Sequence, residues 1–261
     1  MKHYLELVPI SARVHRKQNR MSIFCIILAV FLVTTIFGMA DMFIRSQILQ
    51  AQIDGGNFHI GIKDITDEEA TLISRRPDIQ VAARYGVLNF RGDEGYTFEG
   101  KNAVIVGCDE EYMTKLMVDI IEEGNFPQNN QQVMITLNAK EYLGLQIGDM
   151  VAINTPDGTE LHYEISGFCN DASKIMSEDS YGFFVTTSAF REIYPTEMSD
   201  ELADYNSILC VQFSDLKNIQ NTINNLKEEC HLSDEQVSEN TKLLGLLGQS
   251  SSSFMVQVYT A

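Results

Sequence analysis

The chain has 261 residues, 44% of them hydrophobic, enough to bury a sizeable core even after a long apolar segment near the amino terminus is set aside. Its formal charge of −17 is unevenly divided: residues 1–45 hold six basic and two acidic residues, leaving thirteen basic against thirty-four acidic, a net of −21, for residues 46–261. A body that acidic repels DNA, RNA and anionic lipid, which excludes nucleic acid as a partner and fits a soluble extracytoplasmic surface.

In chain order, residues 1–20 form a basic leader, with Lys2, Arg13, Arg16, Lys17 and Arg20 against Glu6. Tyr4, Leu5, Leu7, Val8, Ile10, Ala12 and Val14 give it an amphipathic pattern suited to the inner membrane interface, where the basic residues would meet lipid headgroups, and Pro9 interrupts a straight helix. Met21–Ala40 is twenty uncharged, mostly apolar residues; at 1.5 Å per residue such a helix covers about 30 Å, the thickness of a bilayer's hydrocarbon core. We therefore expect a transmembrane helix over 21–44 and a stalk over 45–54. The excess of Lys and Arg on the leader places the amino terminus in the cytoplasm and residues after about 45 outside it. A cleaved signal is the competing reading, since Gly38 and Ala40 have the spacing a signal peptidase uses and cleavage would leave Asp41 at the amino terminus. The apolar run is longer than the roughly 7–15 residues of such signals and its leader is long, which favours a retained anchor.

Beyond the stalk, Gly55 and Gly56 mark a break and Asn57–Lys63 alternates as a strand. Thr66–Glu69 reads as a capping box opening a helix to about Arg75, stopped by Pro77. Strands are expected at Ile79–Phe90, Tyr96–Glu99 and Ala103–Cys108, then a short helix over Asp109–Val118 and a loop over Glu123–Pro127. Val133–Thr136 should be a strand and Asn138–Leu143 a helix ended by Gly144, followed by a hairpin of Met150–Asn154 and Glu160–Phe168 turning through Asp157 and Gly158. Tyr181–Thr186 and Ser207–Phe213 read as strands, Ser188–Tyr194 and Leu216–Cys230 as helices. The fold class is α+β. Leu243–Ala261 mixes Leu and Gly with the serines Ser250–Ser253 and closes on apolar residues without a cap, as expected of a segment cut from something longer.

No motif for covalent chemistry assembles, so no catalytic, cofactor-binding or metal-binding residues are expected. Gly95, Gly100 and Lys101 have phosphate-loop spacing, but Asn102 stands where Ser or Thr would bind magnesium, and a strand follows rather than a helix; a hairpin turn explains the glycines. His3, His15, His59, His162 and His231 show no ligand spacing and are expected on the surface or in strands. Cys25 lies in the apolar run, and Cys108, Cys169, Cys210 and Cys230 could form two bridges in three ways or remain buried thiols. The acidic triplets Asp67–Glu69 and Asp109–Glu111 fall where helices begin.

The stretch Glu122–Asp171 resembles the extracytoplasmic core domain of MacB-type, FtsX-like permeases of ABC transporters. The residues that carry the resemblance are the loop with Gly124, Phe126 and Pro127, the strand through Val133 and Ile135, Leu143 and Gly144 followed by Ile147, Gly148 and Asp149, the hairpin with Gly158, and the strand ending Ile165, Ser166, Gly167. Asn125 departs from the Arg common in the family after that glycine. The leader and first span, Arg16–Ile44, are also similar to the family's opening.

The resemblance implies a two-lobed domain after the membrane helix: residues 55–107 plus 204–237 as a ferredoxin-like, porter-type α+β lobe, and 108–203 as an inserted, mostly-β lobe. Residues 238–261 would be a return segment toward a second transmembrane helix that the chain does not contain, making it the amino-terminal part of a permease. The partners implied are a cytoplasmic ABC-type ATPase, a second permease copy in a homodimer, membrane lipid, and an exported substrate or extracellular partner. The resemblance implies coupling of ATP hydrolysis by the separate ATPase to motion of the outer domain, without enzymatic activity in this chain. The alternative is a membrane-anchored or secreted binding module acting alone.

Overall fold

The computed structural model describes residues 16–118, 120–170, 179–194 and 207–248. Most of the leader, and the terminal segment after residue 248, lie outside the described residues. The chain divides into two compact units, residues 1–47 and 48–261.

Helix α1 runs without interruption over Arg16–Gly55, 40 residues, or about 60 Å of helix. Its portion from Arg20 to Gly55 is long and apolar enough to cross a membrane, with a mean hydropathy of 2.7 in its most apolar window and no residue of that window buried in the protein. Two polar side chains inside the apolar run are satisfied by the helix itself: the hydroxyls of Thr34 and Thr35 donate to the carbonyls of Val30 and Phe31 one turn back, at 2.9 and 2.7 Å. The residues expected as a stalk are simply the continuation of this helix. Gly56, with φ +83°, then turns the chain away.

The unit that begins at residue 48 is built on one continuous sheet flanked by short helices. In chain order it contains β1 (Ile60–Ile62), α2 (Asp67–Ser74), β2 (Ile79–Leu88), β3 (Thr97–Phe98), β4 (Lys101–Cys108), a π-helical turn (Tyr112–Leu116), β5 (Ile121–Gly124) and β6 (Gln132–Thr136). There follow α3 (Leu137–Leu143), β7 (Met150–Asn154), β8 (Glu160–Cys169), β9 (Ser180–Thr186), α4 (Thr187–Ile193), β10 (Ile208–Phe213), α5 (Ile219–Glu229), β11 (Val237–Glu239) and α6 (Thr241–Leu246).

Strand order is β11-β1-β10-β2-β4-β3-β7-β8-β6-β9, with β5 added to β8. From β11 to β2 every pairing is antiparallel, and β1-α2-β2 and β10-α5-β11 each skip one strand, so these two strand-helix-strand segments interleave. At the other end β9 returns to pair in parallel with β4 over seven residue pairs, Asn102↔Ser180 to Cys108↔Thr186. The strands β4, β3, β7, β8, β6 and β9 therefore form a closed circuit that removes their free edges.

Alternation of side chains across each strand sends neighbours into different cores. In β4, Ala103 and Ile105 point into the closed circuit with Val133, Ile135, Ile165, Phe168, Tyr181 and Phe183. Val104, Val106 and Cys108 point the other way, into a cluster with Tyr112, Met113, Leu116, Phe184 and Cys210. A third cluster lies under α2 and α5, where Ile73, Ile219, Ile223 and Leu226 cover Ile60, Ile62, Leu209 and Val211. Central strands buried on both faces read as continuous apolar runs, which is how β10, Ile-Leu-Cys-Val-Gln-Phe, appears in the sequence.

Most expected elements lie where the periodicity placed them. Two do not: the expected loop at Glu123–Pro127 begins inside strand β5, and the helix expected over Asp109–Val118 is a brief π-helical turn; β11 and α6 form where no element was expected.

A charge-clamped cleft as the candidate functional site

A cleft of about 440 Å³ opens among the start of α2, the middle of β2 and the exposed side of α4, lined among others by Tyr85, Gly107, Phe190 and Tyr194. Its size falls within the range of small-ligand sites. Gly107 shapes one wall: a Cβ there would sit 2.1 Å from Phe190 Cβ, so the absence of a side chain lets α4 press its phenylalanine onto the sheet.

One carboxylate dominates the polar wall. Asp67 opens α2 directly after the capping residue Thr66. Arg191, on α4, grips it with both guanidinium nitrogens, Nη1 to Oδ2 at 3.0 Å and Nη2 to Oδ1 at 2.8 Å. Arg84, on β2, bonds the same Oδ1 through Nη1 and donates Nη2 to the Thr66 carbonyl at 2.9 Å. The Arg191 hydrogen bonds, with the Arg84 and Arg191 charges behind them, hold the Asp67 carboxyl below the usual carboxylate range against an opposing desolvation.

Arg84 needs this arrangement because its side chain is only 10% exposed, and a guanidinium so far from water must be paired. Behind it, Asp109 accepts the Arg84 backbone N–H through Oδ2 at 2.8 Å and the Thr187 hydroxyl through Oδ1 at 2.6 Å. Two cations and two anions thus join α2, β2, the turn after β4 and α4. The arrangement fixes geometry, and among the described residues no group of His, Cys, Asp and Glu has metal-ligand clustering.

The residues singled out in the sequence are scattered. Glu99 and Gly100, with φ of 49° and 78°, make a two-residue turn between β3 and β4, so the phosphate-loop spacing belongs to a hairpin. Lys101 Nζ lies 5.1 Å from the ring centres of both Tyr142 and Tyr181. His162 is exposed beside Glu160, and His3 and His15 lie outside the described residues. His59, expected on the surface or in a strand, is instead buried just before β1: its Nδ1 accepts the Phe213 N–H at 3.0 Å and its ring stacks on Phe213. Cys108, Cys169 and Cys210 are buried thiols, and burial pushes Cys108 and Cys210 well up. The Asp67, Arg84 and Arg191 clamp was not legible in the sequence. Its only trace is Arg84 itself, a charge set inside an otherwise strand-like run.

The residues that carried the family resemblance share a structural role. Gly124 pairs with Gly167 across β5 and β8, and Gly124 has φ +78°; a Cβ on Gly124 would lie 2.3 Å from the Ser166 carbonyl oxygen, and one on Gly167 would lie 2.5 Å from that of Glu123. Two backbones approach here as only glycine permits. Phe126 follows into the buried core, and Gly144 ends α3 in the left-handed region.

The outer unit is a continuous mixed sheet flanked by short helices, preceded by one apolar helix long enough to cross a membrane. The family model for the MacB-like periplasmic core domain matches residues 21–229, and the chain belongs to that family, whose members are permease components of ABC transporters. Among solved structures, the periplasmic region of MacB from Actinobacillus actinomycetemcomitans is similar with a TM-score of 0.51 at 14% identity, covering 78% of this chain and 99% of that one. A domain of a putative permease protein from Porphyromonas gingivalis is similar with a TM-score of 0.43 at 10% identity, covering 69% and 87%. No curated protein matches the chain.

Proposed function

We propose that the chain is the amino-terminal part of a permease in which α1 crosses the membrane with its basic end in the cytoplasm and passes motion, driven by ATP hydrolysis in a separate cassette ATPase, to the outer domain. The observation that carries this reading is the unbroken course of α1: one helix runs from the basic leader through the apolar run and up to residue Gly55, where the domain's first strand is five residues away. A cleavable signal would gain nothing from helix that continues for fifteen residues past Ala40.

The two-lobed reading of the outer domain belongs to the same proposal. The strand order β11-β1-β10-β2 with α2 and α5 supports a ferredoxin-like lobe, and the closed circuit of β4, β3, β7, β8, β6 and β9 supports an inserted β-rich one. The clamp of Asp67, Arg84 and Arg191 then joins them, and the cleft beside it is where substrate or an extracellular partner would bear on their relative angle. A homodimer, with the leader lying against lipid, completes the arrangement.

Single cysteines placed at Lys17 and at Lys217, in a background with the natural cysteines replaced, test the orientation. Membrane-impermeant thiol reagent applied to intact cells should label position 217 and not 17, and the ATPase should co-purify with the full permease. Labelling at 17, or a released product beginning at Asp41, would sink the reading in favour of a secreted binding module.

A further inference from the structure

The link between α1 and the outer domain is Gly55-Gly56, the most flexible dipeptide available to a chain. A hinge there would absorb displacement rather than pass it on. The structure braces it from one neighbouring segment. Asn240 stands where β11 ends and α6 begins; its Oδ1 accepts the Leu243 N–H at 3.3 Å and so caps α6. Its Nδ2 meanwhile donates to the carbonyls of Gly56 at 3.3 Å and Phe58 at 3.0 Å, and its backbone N–H donates to the His59 carbonyl at 2.9 Å. Two residues on, Lys242 Nζ reaches Asp54 Oδ2 at 3.0 Å. The first turn of α6 therefore grips the chain on both sides of the glycine pair, before it at Asp54 and after it at Gly56 and Phe58.

Other contacts seat this joint in the domain. Gln52 Nε2 donates to Asn57 Oδ1 at 2.9 Å, Gln212 Nε2 donates to the Asn57 carbonyl at 2.8 Å, and Ala51, in the last turns of α1, is buried. We propose that Asn240, seconded by Lys242, is the positioning residue of a splint that locks the Gly55-Gly56 hinge, so that the end of α1, β1 and the start of α6 move as one body. The proposal rests on the reading of α1 as a conveyor of motion, and it assigns to particular side chains the stiffness that reading requires.

Asn240→Asp separates capping from splinting. An aspartate caps a helix as well as asparagine does, but its side chain has no N–H to donate and sets an anion against two carbonyl oxygens. With the whole chain in lipid nanodiscs, hydrogen exchange in N240D should accelerate at least tenfold at residues 56–59 while residues 243–247 change less than twofold. Spin labels at Gln47 and Asp234 should show a broadened distance distribution, broader still when Lys242→Ala is added. Unchanged exchange at 56–59, or an equal loss of protection throughout the domain, overturns the splint. In the full permease with its ATPase, N240D should keep ATP hydrolysis and lose the ATP-dependent change in label distance. A loosened joint with that change intact overturns the proposal and leaves the permease reading standing, whereas no ATP-dependent change in the unsubstituted protein overturns the permease reading itself.

Discussion

His59 shows how one buried side chain imposes a pH dependence on the whole domain. Burial lowers its pKa to about 4, so the folded protein holds the imidazole neutral while the unfolded chain binds a proton near the ordinary 6.5. Because the unfolded state binds more protons between those values, stability is complete above pH 6.5 and falls as pH drops toward 4, by up to about 3 kcal/mol. Asp67 and Asp78, held below the usual carboxylate range chiefly by hydrogen bonds from Arg191 and Arg76, act in the same direction at still lower pH, losing their contribution as they are protonated. His59→Asn keeps an acceptor for the Phe213 N–H and removes the titration. Denaturant midpoints measured from pH 7 to 4 should flatten in H59N, and an unchanged slope would exclude His59 as its source.

Asn89 and Gly107 act through geometry instead. Fully buried and at φ 61°, Asn89 donates Nδ2 to the carbonyls of Tyr96 and Ala103 at 2.7 and 2.9 Å and accepts the Glu94 N–H at 3.1 Å, closing the turn between β2 and β3. Asn89→Ala should cost about 2–3 kcal/mol by orphaning these groups, read as a shifted urea midpoint. Gly107→Ala should cost about 1–3 kcal/mol through the collision with Phe190 and should also widen the cleft.

At the scale of elements, what the sequence announces is what local bonds can enforce. The capping box of α2 is complete: Thr66 Oγ1 accepts the Glu69 N–H at 3.2 Å, and Glu69 Oε2 accepts the Thr66 N–H at 2.8 Å. Thr66→Ala should lower stability by about 1 kcal/mol in thermal melts, and it should leave the Thr66 carbonyl that holds Arg84 in place. The elements missed are short and have no local signal. β5, Ile-Glu-Glu-Gly, is half acidic and exists because β8 offers it an edge; β11, Val-Ser-Glu, has three residues and is set by pairing with β1; α6 has six and is started by an asparagine whose other bonds are long-range. The turn after β4 is π-helical and buries Tyr112, Met113 and Leu116 in the core.

For the whole molecule, the critical feature of α1 is its apolar circumference. Val30→Arg near the middle of the run should raise the cost of membrane insertion by about 2.5–3.5 kcal/mol, seen as a larger soluble or degraded fraction on cell fractionation. An unaffected membrane fraction would show that something other than this helix anchors the chain. The clamp belongs to the same scale, because Asp67 and Arg191 stand 124 positions apart. Asp67→Asn leaves the poorly exposed Arg84 short of its counter-charge and should loosen α4 against α2, with faster exchange in both helices at pH 7 and a smaller loss for Arg191→Ala, whose side chain is half exposed.

The sequence by itself determined the membrane-length helix, the acidic outer body, the α+β alternation and the glycine-rich signature of the family. Each of these depends on composition or on residues within a few positions of one another, where periodicity, capping and turn geometry act directly. Only the tertiary structure decided that β9 closes on β4, that His59 is buried, that Asp67 holds two arginines, and that Asn240 reaches back across 182 residues to Phe58. These depend on which surfaces meet once the chain has collapsed, and no local preference of Asp, Arg or Asn distinguishes a solvated side chain from one that joins distant segments.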